Sequence, residues 1–235
     1  MKFTKDTQAI FYNLKALPIQ QMLDFDYLCE RKPSVVAIVH PGRKGIHKAF
    51  FGQQEILIPI YNSLNKAVEK HQAEVLINFA SFRSAYASSK EALNSDSIKC
   101  LVVVAEGIPE KQTKELIAVA KENNRLIIGP STVGGIAAGS FRIAGYAGGK
   151  IENVIRAKLY RPGSIGLVSK SGGMMNELFN IIARTTDGTK EGIAIGGDVY
   201  PGSTLLGHLL RFEDDFDIKL LVALGELGGT QEYEI

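Results

Sequence analysis

Five short apolar runs rich in β-branched residues punctuate the first part of the chain: Gln8 to Tyr12, Ser34 to Val39, Val75 to Phe79, Cys100 to Ala105 and Leu126 to Ile128. Between most of them the apolar positions recur at helical spacing, over Leu17 to Glu30, Ile60 to His71, Tyr86 to Leu93 and Glu110 to Asn124. Strand and helix in alternation predict βα units on a parallel sheet, a Rossmann-like first domain. The last of these strands runs into GPSTVGGIAAGSFRIAGYAGG, seven glycines in twenty-one residues. Without a sustained period, that segment is expected to be extended crossing chain rather than a packed helix.

A domain boundary is therefore expected near Gly149, dividing the chain into 1–149 and 150–235. The second series reads helix Ile151 to Leu159, strand Ser164 to Val168, helix Met174 to Arg184, strand Gly192 to Ile195, helix Ser203 to Phe212 and strand Lys219 to Leu224. Three strands and the start of a fourth unit are fewer than a sheet usually holds, so this second core is expected to be incomplete. A fragment of a longer polypeptide is the simplest reading, and a partner chain completing the sheet accounts for the same pattern.

Composition narrows the functions. The chain has 235 residues, 45% of them apolar, with 27 Lys and Arg against 25 Asp and Glu. It can bury a sizeable core, and its near-neutral charge gives no field that would hold it on nucleic acid or on an anionic membrane. No apolar h-region opens the sequence and no run is long enough to span a bilayer, which makes a soluble cytoplasmic chain the expectation. Cys29 and Cys100 have no CxxC partner and read as buried reduced thiols. His40, His47, His71 and His208 show no metal-ligand spacing, so no metal site is expected.

The chemistry is sought at the carboxyl ends of the strands, where open α/β sheets form their crevices. SKSGGMMNE, Ser169 to Glu177, follows a strand and opens a helix, so the amides of Ser171, Gly172 and Gly173 can seat a phosphate or carboxylate. An ordinary serine cap with glycines for close packing fits the spacing equally well. In VLINFASFRSAY, residues Ser81, Phe82, Arg83 and Ser84 lie between strand and helix. Arg83 offers a planar fork to a phosphate, and Phe79 or Phe82 could cover an adenine ring; a capped helix with a solvated arginine is the plain alternative. Glu106 in AEGIPE and Glu226 in GELGGT each end a strand, where a carboxylate can hold an imidazole in one tautomer. The first strand turn, AIFYNLKALPIQQML, has no glycine, which argues against a dinucleotide fingerprint and hydride transfer. No GxSxG suggests hydrolase chemistry.

Taken in order, QMLDFDY, EILIPIYN, VLINFASFRSAY, AEGIPE, IIGPSTVGGI, KLYRPGSIGLVSKSGGMMNEL, RTTDG, IAIGGDVYPGS and LGELGGTQEY resemble ATP-citrate lyase across essentially the whole chain. The corresponding part of that family is its CoA-binding and ligase region, similar to the α subunit of succinyl-CoA synthetase. The resemblance implies a Rossmann-like CoA-binding domain followed by an incomplete flavodoxin-like ligase domain. It also implies a reaction in which ATP phosphorylates a histidine, citrate takes the phosphoryl group, and CoA displaces phosphate to give citryl-CoA, which a citrate-synthase-like domain cleaves to acetyl-CoA and oxaloacetate. The phosphorylated histidine, in a motif like FGHAGA, would lie beyond Ile235. ATP and Mg2+ would bind mainly on an ATP-grasp domain or subunit, within an oligomer. Carried over residue by residue, Ser81, Phe82, Arg83 and Ser84 would bind CoA, with Ser81 and Arg83 on its phosphates. Ser171, Gly172 and Gly173 would seat the phosphoryl group or the citryl carboxylate, and Glu106 and Glu226 would flank the incoming histidine. A citryl-CoA synthetase small subunit and a non-catalytic CoA-binding regulatory module are the alternatives.

Overall fold

The computed structural model describes residues 1–235. Seven strands form the first sheet: β1 (Ala9–Tyr12), β2 (Val35–Val39), β3 (Gly45–Phe51), β4 (Gln54–Tyr61), β5 (Val75–Asn78), β6 (Cys100–Val103) and β7 (Leu126–Ile128). Their order is β3-β4-β2-β1-β5-β6-β7, parallel throughout except that β3 runs antiparallel to β4. Helices α1 (Ala16–Leu28), α2 (Leu64–Lys70), α3 (Phe82–Leu93) and α4 (Glu110–Glu122) make the crossovers. From β1 the chain winds outward through β2, and it resumes on the opposite side of β1 at β5. The crevice at the β1 and β5 ends is thus the switch point of this sheet.

The β3–β4 hairpin departs from the helix expected from Ile60. In QEILIPIY the buried positions are Ile58 and Ile60, a period of two, and α2 begins only at Leu64. Ile58 and Ile60 are β-branched and suit a pleated strand, and the helix starts only after Ser63, its N-cap residue.

The second sheet has the order β12-β10-β11-β8-β9. Its parallel part is β10 (Ile165–Ser169), β11 (Thr189–Ala194) and β12 (Leu220–Leu224), linked by α6 (Gly172–Thr185) and α7 (Leu205–Glu213). The other two strands, β8 (Gly135–Ala137) and β9 (Phe141–Ile143), come from the glycine-rich segment and pair antiparallel with β11 and with each other. That segment is extended, as its composition implies, but it supplies a hairpin, so the sheet has five strands where the spacing counted three. The change of sheet accordingly falls between Ile128 and Gly135, and the division expected near Gly149 lies after the second sheet has begun. A short helix, α5 (Ile151–Arg156), follows.

Side chains alternate across the strands as a pleated sheet requires. Phe11 of β1 and Ile77 of β5 enter a core shared with Val168, Ile193, α1 and α7, whereas Ile10 and Leu76 pack on the opposite face with α2, α3 and α4. Leu167 and Ala194 face α6 on the far side of the second sheet. One apolar layer therefore joins the two sheets and fixes their strand ends relative to one another.

Arg142 and His208 are among the polar groups buried in this interior. Arg142 of β9 is wholly buried, and its guanidinium donates to the carbonyl oxygens of Gln21 in α1 and Gly149. His208 of α7 accepts at Nδ1 from Arg211 (3.1 Å), which leaves Nε2–H to donate to Ser203 Oγ (2.9 Å). Burial, aided by the Arg211 charge, lowers its pKa from 6.5 to about 3. The unfolded chain takes up a proton near pH 6.5 that the folded chain refuses, so this group stabilises the fold above pH 6.5 and its contribution is lost as the pH falls toward 3. Urea midpoints measured from pH 7.5 to 4 are expected to fall less steeply in His208→Gln than in the unaltered chain. No helix is long and apolar enough to cross a membrane. Cys29 and Cys100 are buried free thiols, each pushed up to about 12 chiefly by burial.

Candidate active site at the strand ends

Ser81, Phe82, Arg83 and Ser84 all lie exposed at the start of α3, on the β5 side of the first crevice. Ser81 occupies the N-cap position without capping through its side chain; its hydroxyl instead meets Ser84 Oγ at 3.3 Å. The first amides of the helix cannot find an acceptor within it. Arg83 stacks over the Phe82 ring at 5.5 Å and makes no ion pair in the chain. Two hydroxyls, a free guanidinium and unspent amides form a donor set suited to phosphate, beside an aromatic face.

Asn78, which the sequence reading passed over, anchors this turn. Its side chain is buried, donates from Nδ2 to Ser88 Oγ (2.8 Å) and Ser89 Oγ (3.0 Å) of α3, and accepts at Oδ1 from the Ala80 amide (2.9 Å). Asn78→Ala unpairs these groups in a dry setting and is expected to cost about 1–3 kcal/mol of stability, read from a denaturant midpoint. Across the crevice, Asn13 follows β1 with φ 71°, a left-handed conformation that asparagine tolerates, and its Nδ2 reaches the Phe79 carbonyl at 3.5 Å. The first turn does without glycine because Asn13 takes the glycine's conformation.

In the second sheet the chain leaves β10 for β11 on one side and returns through α7 to β12 on the other, which opens a crevice between the β10 and β12 ends. Ser171 caps α6, its Oγ accepting from the Met174 amide at 3.3 Å. The two readings of this turn divide between its glycines. A Cβ on Gly172 would meet Val133 at 2.6 Å, so that glycine serves close packing; a Cβ on Gly173 would meet nothing. The Gly172 and Gly173 amides precede any acceptor in the helix and remain available to an anion.

The two acids lie at opposite ends of one chain of contacts. Ala105, next to Glu106, accepts from the Ser131 amide (2.9 Å), and Ser131 accepts from Gly197 (3.3 Å). Asp198 then accepts from Lys170 Nζ (3.1 Å), and the same Nζ lies 3.3 Å from Glu226 Oε1. Lys114 of α4 sits 4.1 Å over the Tyr200 ring, which ties that helix to the loop after β11. Glu106 is exposed and its carboxylate has no partner in the chain. The Glu226 amide is held by Glu232 Oε1 at 2.8 Å. Lys170 was not anticipated either; its only sequence signal is a cation set between the two serines of SKSGG.

The two sheets thus each open a crevice beside a helix start with available amides, and residues 168–235 match the CoA-ligase family model. The resemblance to ATP-citrate lyase runs through the whole chain. It is 59% identical over 235 residues to ATP-citrate synthase beta chain protein 1 of Arabidopsis thaliana, covering 99% of this chain and 38% of that protein. Two solved structures align over 100% of this chain and 38% of theirs, each at TM-score 0.97 and 52% identity. One is a mutant ATP citrate lyase of Methanosaeta concilii in complex with (3S)-citryl-CoA, the other the ATP citrate lyase of Methanothrix soehngenii in complex with citrate and coenzyme A. The chain thus spans about two fifths of the length of these relatives.

Proposed function

We propose that this chain is the part of an ATP-citrate lyase that carries the CoA site and half of the phosphoryl-transfer site. The reading rests above all on the convergence, at the strand ends of two sheets with a common core, of a phosphate-suited donor set and an open glycine amide seat between two carboxylates. Ser81, Arg83 and the first amides of α3 hold the phosphates of CoA, with Phe82 against its adenine. Gly172 and Gly173 hold the phosphoryl group or the citryl carboxylate, Ser171 shaping their turn. Glu106 and Glu226 orient the imidazole that carries the phosphoryl group and accept its proton. The histidine stands in a motif like FGHAGA that these 235 residues do not contain, the ATP and Mg2+ site belongs to an ATP-grasp domain or subunit, and the cleavage of citryl-CoA belongs to a citrate-synthase-like domain, all within one oligomer in the cytoplasm.

Calorimetry on the 235-residue chain tests the CoA site. Binding at or below millimolar CoA is expected, and Arg83→Ala is expected to weaken it by about 1.5–3 kcal/mol through loss of a charge-assisted bond. A folded chain giving no heat with millimolar CoA removes the assignment. The chain alone is also expected to take no phosphate from labelled ATP onto any of its four histidines; labelling of one of them would overturn the division of labour.

A further inference from the structure

We infer that Lys170 is a positioning residue for phosphoryl transfer, acting through Glu226; the inference rests on the function proposed above. Its side chain is only 7% exposed, and the acceptors on its ammonium are the Asp198 carbonyl at 3.1 Å and Glu226 Oε1 at 3.3 Å. Its own amide donates to the Leu224 carbonyl at 2.8 Å, so residue 170 is pinned to the end of β12 by backbone and side chain together. Lys170 thereby ties three strand ends, those of β10, β11 and β12, at the crevice where the Gly172 and Gly173 amides open.

Withdrawing an ammonium from water costs several kcal/mol, and one carbonyl with one half-exposed carboxylate returns little of it. An apolar side chain would fill the same space at lower cost. What an apolar side chain cannot do is hold the Glu226 carboxylate, itself 45% exposed and otherwise free to rotate into solvent. The turn bearing Glu226 is fixed from behind by Glu232, which accepts from the Glu226 amide, so Lys170 and Glu232 restrain the side chain and the backbone of the same residue. Misplacing a reacting group by about 1 Å can cost on the order of a hundredfold in rate, which is the scale on which such a restraint matters.

The test uses the complete enzyme that carries this chain, with Lys170→Met, Lys170→Arg, Glu226→Gln and the Lys170→Met/Glu226→Gln pair. Rapid-quench measurement with labelled ATP and citrate reads phosphohistidine formation and discharge, and calorimetry reads CoA affinity as a check on folding. Lys170→Met is expected to slow phosphoryl transfer about tenfold to a hundredfold with KM for CoA unchanged. Lys170→Arg is expected to recover most of the rate, and Lys170→Met is expected to add nothing once Glu226 is glutamine. Lys170→Gln, which keeps a donor for Asp198 but no charge, replaces the methionine variant if that does not fold. A wild-type rate in Lys170→Met, or an equal loss in both Glu226 backgrounds, overturns the inference while leaving the function intact. A wild-type rate in Glu226→Gln instead overturns the catalytic reading of Glu226 and the role of Lys170 with it.

Discussion

In the complete enzyme, Glu106→Gln and Glu226→Gln are each expected to slow formation or discharge of the phosphohistidine by about a hundredfold or more, with folding and CoA affinity nearly unchanged. Glutamine keeps the size of the side chain but neither carries charge nor accepts a proton, so it can no longer hold the imidazole in one tautomer. The two acids are expected to differ in character. Glu106 has no partner within the chain and is free to meet an incoming histidine, whereas Glu226 arrives already held by Lys170. They follow strands of different sheets, and their loss is expected to affect the receipt of phosphate and its discharge onto citrate unequally. Rapid-quench phosphorylation with and without citrate separates these steps. Unaltered rates of both steps in both variants would return the two carboxylates to solvated loop residues.

Asp26→Ala is expected to destabilise the chain by about 3–5 kcal/mol, the largest effect on folding of any substitution considered. Asp26 is completely buried, accepting from Arg31 Nη1 (2.9 Å), the Ser34 amide (2.7 Å) and Ser34 Oγ (2.7 Å). The Arg31 side chain is 1% exposed and spends its remaining donors on the carbonyls of Lys5 and Thr7. Removing the carboxylate would strand that guanidinium in the interior. Burial outweighs Arg31 and Ser34 and pushes the Asp26 carboxyl from 3.8 up to about 6. The folded chain therefore keeps a proton that the unfolded chain has released, so this group favours the fold most below pH 3.8 and progressively less as the pH rises to about 6. The pair is thus costly to break, although its charged form is not what makes the fold stable. Urea denaturation at pH 7 measures the loss; a midpoint unchanged from the parent chain would show that water reaches Arg31 and replaces the carboxylate.

The linear order of residues determined the alternation of strands and helices, because a buried parallel strand must be a continuous apolar run and its crossover helix must show one apolar stripe. It also marked FASFRS and SKSGG as helix starts, since both place small residues and donors directly after such strands. It could not distinguish Gly172 from Gly173, which are identical neighbours until Val133 closes on one of them. Nor could it reveal β8 and β9: a glycine-rich segment carries no strand signature of its own, and GIA and FRI became strands only because the exposed edge of β11 offered hydrogen-bonding partners. The hairpin of β3 and β4 was hidden for a different reason: most of its residues are exposed or half-buried, and only Ala49, Ile58 and Ile60 reach the core. Lys170 shows the same limit most sharply. A lysine between two serines reads as a solvated charge, and only the crossing of α7, which brings β12 back beside β10, puts Glu226 within 3.3 Å of it and the water out of reach.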